Sequence, residues 1–121
     1  MEDDLLNRTI AIRLAAWTCI FAIAVLSLAP SETVVRTGVG GKVEHIAAYS
    51  IASFLMALAY GEGWRVIVSL LGYAAVLEFL QRFSPGRTSS VTDYLFSAAG
   101  IGVGILVLVL LRKLAGRPRF Q

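Results

Sequence analysis

Charge is scarce in this chain. Only 16% of its 121 residues are Asp, Glu, Lys or Arg, against 57% hydrophobic, and a soluble domain of this size needs far more polar surface. Cysteine is almost missing. Cys19 stands alone between Thr18 and Ile20, so no internal disulfide can form, and it reads as an inert apolar residue. No stretch alternates apolar and polar residues in the manner of a spanning strand, which excludes a transmembrane β-barrel. There is no long-period repeat and no low-complexity tract. The segment Gly38-Val39-Gly40-Gly41-Lys42 lacks the spacing of a phosphate loop and follows no strand. No serine, cysteine or metal motif names a reaction, and nothing in the sequence calls for a cofactor or a metal.

What the chain does have is long apolar runs. The mean hydropathy is +0.74, and it comes from four segments: Ile10 to Ala29, Val43 to Tyr60, Trp64 to Phe83 and Val91 to Leu111. A helix needs roughly 20 residues to cross a hydrocarbon core of about 30 Å. Pro30, Gly61-Glu62-Gly63 and Ser84-Pro85-Gly86 interrupt the runs. The expected fold is therefore all-α: a polytopic membrane protein, a four-transmembrane-helix bundle forming one domain over residues 1–121. Ser27-Leu28-Ala29 resembles a signal-peptidase site, but an acidic leader, Met1-Glu2-Asp3-Asp4, and the following Pro30 predict an uncleaved first span.

Lys and Arg set the expected orientation. Arg8, Arg13, Arg65, Arg112, Lys113, Arg117 and Arg119 belong to one side, and Arg36, Lys42, Arg82 and Arg87 to the other. That bias puts both termini in the cytoplasm. The net charge of +3 and pI near 9.4 are accounted for by these anchors. No aromatic-basic interleaving points to nucleic acid.

The scarce ionisable residues converge. Glu44 and His45 open the second span, Glu78 and Gln81 lie late in the third, and Asp93 opens the fourth. All belong to the side of the first and third connections, which the charge bias makes the outside. Helical spacing aligns His45, Ala48, Tyr49, Ala52, Met56 and Ala59 on the second span, and Leu71, Ala74, Ala75, Glu78, Gln81 and Arg82 on the third. On the fourth, Asp93, Ser97, Gly100 and Gly104 align, and the small residues allow close helix packing. Glu78 lies seven residues before Pro85, about 10 Å below the end of its span. A carboxylate at that depth requires a partner, for which Arg82, Arg87 and His45 are the candidates. Asp93 also completes Ser90-Val91-Thr92-Asp93, a capping-box pattern.

The run from Glu78 to Arg87 (EFLQRFSPGR), then Ser90-Val91-Thr92-Asp93 and the glycines Gly100 and Gly104, resembles the VanZ-like family. Lys42-Val43-Glu44-His45-Ile46-Ala47-Ala48-Tyr49 resembles its upstream motif. The resemblance covers Lys42 to Gly104 and implies that His45, Glu78, Gln81, Arg87 and Asp93 are the recurrent polar positions. Where the family usually carries an asparagine, this chain has Ser97. The family's link to teicoplanin resistance implies a role at the bacterial cell envelope, in the inner or plasma membrane; it does not assign resistance to this chain.

Three functions follow as expectations. A lipid-linked or headgroup-bearing ligand would sit in an outward-facing pocket, with Arg82 and Arg87 on its phosphate or carboxylate. An intramembrane enzyme would use Glu78 and His45 as acid and base. An accessory subunit would pack against a larger membrane complex or its own copy. A transporter is less favoured, since no inverted repeat or broken midplane helix is visible.

Overall fold

A computed structural model describes residues 1–34 and 38–117. Arg36 and Arg119, both used in the charge comparison above, lie outside the described residues. Four helices are long and apolar enough to span a membrane, and no strand occurs among the described residues. They are α1 (Glu2–Leu28), α2 (Gly41–Tyr60), α3 (Trp64–Leu80) and α4 (Val91–Leu114).

Each boundary has a local cause. Helix α1 starts eight residues before the apolar run, because Glu2, Asp3 and Asp4 favour the positive end of the helix dipole. Asp4 also pairs with Arg8 one turn on, at 3.3 Å. It ends at Ala29, held extended by the proline that follows. Gly40 and Gly61 bracket α2 with positive φ, 112° and 99°, which side-chain-bearing residues rarely adopt. Helix α3 tightens into a 3-10 turn at Gln81–Phe83 and stops at an extended Ser84, ahead of Pro85. Helix α4 starts at a Ser90 cap and runs three residues past Leu111.

The helices run antiparallel in sequence. The start of α1, the α2–α3 turn and the end of α4 share one end of the bundle, where Trp17 Nε1 donates to Tyr60 Oη at 2.8 Å and Arg112 meets Glu62. The first and third connections share the other, where Ser31 N donates to Pro85 O at 3.2 Å.

Close packing without bulk holds the core. Helices α2 and α4 make the most extensive pairing. A Cβ at Gly100 would lie 2.6 Å from Ile46 O, and one at Gly104 would collide with Ser50 and Ser53. Lipid tails are as apolar as leucine, so this contact depends on surface fit and polar bonds more than on the hydrophobic effect. Ser50 Oγ supplies one such bond, donating to Gly100 O at 3.1 Å. The seam of α3 differs from the expected stripe. Leu70, Ala74, Leu77, Glu78 and Gln81 are buried, while Ala75 and Arg82 are exposed. Leu70 and Leu77 take the buried positions on this face, and the small Ala75 is turned outward.

Candidate functional site

The polar end of the bundle is built around the open end of α1. The last carbonyls of any helix lack intrahelical donors, and those of α1 finish near the membrane boundary. Side chains from the α3–α4 region supply the donors. Arg87 Nη2 donates to Leu26 O at 2.7 Å and Arg87 Nε to Ala29 O at 3.2 Å. Gln81 Nε2 reaches Ser27 O at 3.2 Å, and Ser84 Oγ reaches Leu28 O at 2.5 Å. A guanidinium at a helix C-terminus also opposes the negative end of the dipole. Gln81 and Arg87 thus clamp α1 to α3. Ser84 joins them, and sequence reading passed over it; the signal available was a helix ending at Pro30 whose carbonyls needed donors.

Glu78 is 8% exposed, as its depth requires. Its partner is a backbone amide: Oε1 accepts the Ser90 N–H at 2.7 Å. The expected guanidinium or imidazole partner is replaced by the first orphan donor of α4. Ser90 Oγ in turn accepts the Asp93 N–H at 3.5 Å. Half of a capping box is therefore present, and the other half comes from α3. Among the described residues the Asp93 carboxylate accepts no hydrogen bond.

His45 and Ser97 join α2 to α4. His45 Nδ1 lies 3.0 Å from Ser97 Oγ, and Ser97 donates to Asp93 O at 3.1 Å. The ring stacks on Tyr49, centroids 6.5 Å apart and 4° from parallel. Ser97, 2% exposed, makes its contact with His45 from inside the seam between α2 and α4.

A cleft of about 330 Å³ opens between α1, α2 and the end of α3. Glu44, His45, Gln81 and Arg87 line its polar part, and Ile23, Leu26 and Ala47 its apolar part. Of the five polar positions, His45, Gln81 and Arg87 meet there, whereas Glu78, on α3, and Asp93, in the first turn of α4, do not line it. No group of three or more metal-ligating side chains gathers among the described residues.

A second polar contact lies at the opposite end. Arg112 and Glu62 form a buried ion pair, with side chains 10% and 6% exposed. From sequence Arg112 reads as an interfacial anchor, but in the structure it locks α4 to the α2–α3 turn. One Glu62 oxygen, Oε1, has no hydrogen-bond partner among the described residues.

Antiparallel apolar helices, packed through glycine and capped at one end by mutual polar contacts, define a polytopic membrane protein of the small four-helix type. The family model described as VanZ/LLP1 matches residues 6–112, and the chain belongs to that family. The match extends well beyond Lys42 to Gly104 and takes in the first span. Neither the curated proteins nor the solved structures yielded a match.

Proposed function

We propose that this VanZ-like membrane protein holds the headgroup of a lipid or lipid-linked envelope molecule in the cleft beside His45, Gln81 and Arg87. The observation that carries this reading is the make-up of the cleft, where a cation, an amide and an imidazole adjoin apolar wall from α1 and α2. Ligand sites run from roughly 300 to 1,000 Å³, and at about 330 Å³ the cleft suits a headgroup. Polar groups at membrane depth are costly and mark ligand or ion sites.

In this reading Arg87 offers charge to a phosphate or carboxylate while its other donors hold α1. Gln81 and the His45 imidazole orient hydroxyl or amide groups. Glu78 is a positioning residue, fixing the start of α4 and through it the Ser97 contact to His45. Both termini lie in the cytoplasm, which turns the cleft to the outer face of a bacterial inner membrane.

Ala47 provides a test that leaves the polar bonds intact, being an exposed helical residue on the wall of the cleft. Protein extracted in mild detergent is expected to carry a lipid-mass adduct in native mass spectrometry. Ala47→Phe is expected to carry one lipid adduct fewer than the wild type, with an unchanged melting temperature. An adduct-free wild type that instead copurifies with a stoichiometric protein would replace this reading with that of an accessory subunit.

A further inference from the structure

A second groove of about 330 Å³ lies near the opposite end of the bundle, between α1, α2 and α3. Trp17, Ile20, Met56, Tyr60, Arg65 and Leu70 are among the residues that form it. None of the lining residues is acidic, in contrast to the first cleft, which includes Glu44.

The groove has an interfacial mouth and an apolar body. At the mouth, Trp17 donates to the Tyr60 hydroxyl. The Arg13 guanidinium lies 5.0 Å from the Tyr60 ring centroid, and that of Arg65 lies 5.8 Å from the centroid of Trp64. Tryptophan and tyrosine beside arginine mark the headgroup level of a bilayer. Arg13, Trp17 and Ile20 follow at helical spacing down one face of α1. From Arg65 to Tyr73, which also lines the groove, α3 descends about 12 Å. One leaflet's hydrocarbon is roughly 15 Å deep. The groove thus spans most of a leaflet, with cations at its headgroup end.

We infer that this groove is a binding site for an anionic phospholipid of the leaflet on the side of the termini. One acyl chain lies against Ile20, Met56 and Leu70, and the phosphate sits between Arg13 and Arg65. The site is separate from the outer cleft in leaflet and in lining. It gives the protein a preference for anionic membrane whatever the outer cleft holds.

Trp17 is itself the reporter. The chain has two tryptophans, so Trp64→Phe leaves Trp17 alone on the wall of the groove. The protein is reconstituted in vesicles containing a small fraction of phospholipid brominated on its acyl chains, carrying either a phosphatidylglycerol or a phosphatidylcholine headgroup. The expected result is quenching of Trp17 at roughly tenfold lower mole fraction of the anionic lipid, from two cations acting on one phosphate. Arg13→Gln with Arg65→Gln is expected to abolish the preference while leaving quenching by phosphatidylcholine unchanged. Ala47→Phe, which fills the other cleft, is expected to leave it intact. Equal quenching by the two lipids in the Trp64→Phe protein, or a preference that survives loss of both arginines, would overturn the site.

Discussion

The Ser90 N–H points at Glu78 Oε1, 2.7 Å away, and not at the carboxylate of its own helix. The single acidic residue of α3 thereby caps the start of α4 and ties the two helices across the α3–α4 connection. A capping box keeps this bond within one helix; here it is made between two. Asp93 takes part in the cap through its backbone N–H, which donates to Ser90 Oγ.

Glu78→Ala and Glu78→Gln separate this cap from any role of the charge. The amide oxygen of glutamine can still accept the Ser90 N–H, whereas alanine leaves a buried donor unpaired. Alanine is expected to cost about 1–3 kcal/mol and glutamine distinctly less, measured by denaturant titration in mixed micelles. Equal losses for the two would mean that the bond does not support α4. A stable Glu78→Gln protein without the lipid adduct proposed for the cleft would give the charge a part in that site.

Gly104→Leu and Val107→Leu test the α2–α4 contact. A side chain at Gly104 meets Ser50 and Ser53 on the facing helix, while Val107 is exposed to the lipid side. Overpacking a close contact costs about 1–3 kcal/mol or more, and an exposed substitution to the same leucine stays within about 0.5 kcal/mol. Thermal melting in detergent should separate the two variants clearly. Matching melting curves would show that the glycine face is not the contact.

The Arg112–Glu62 pair predicts non-additivity. Removing one partner of a buried pair strands the other charge, at a cost of about 3–5 kcal/mol. Arg112→Met and Glu62→Leu should each destabilise the protein by such an amount. The double variant should recover most of the loss, since an apolar pair of similar volume suits the site. Simple addition of the two losses would show that the residues do not act as a pair.

Topology is checked by thiol labelling in intact cells, on a chain with Cys19 replaced. Gly40 and Gly116 have positive φ and would be strained by cysteine, so the exposed Thr88 and Lys113 serve better. Thr88→Cys should react with an impermeant reagent and Lys113→Cys should not. The reverse pattern would turn the outer cleft to the cytoplasm and the second groove to the outer leaflet.

Much of this protein was legible as sequence because its determinants are local. Apolar run length and the breaks at Pro30, Gly61 and Ser84-Pro85-Gly86 are enough to define four spans, since a bilayer demands that each segment satisfy its own backbone. Asp93, Ser97, Gly100 and Gly104 share a face of α4 because helical periodicity alone aligns them. The same reasoning recognises that His45, Glu78, Gln81, Arg87 and Asp93 belong to one end of the molecule.

Partnership was decided by tertiary structure. Whether Glu78 meets a guanidinium or an amide depends on how α3 is rotated against α4, and helical spacing leaves that rotation open by about one residue, as Ala75 and Arg82 show. The donors that cap α1 come from residues more than fifty positions along the chain, and the Glu62 carboxylate meets Arg112 fifty residues away. Periodicity reports which residues share a face. It does not report what the face meets, because that depends on the relative rotation and depth of separate helices, which packing of glycine and serine against a neighbouring backbone sets only once the bundle is assembled.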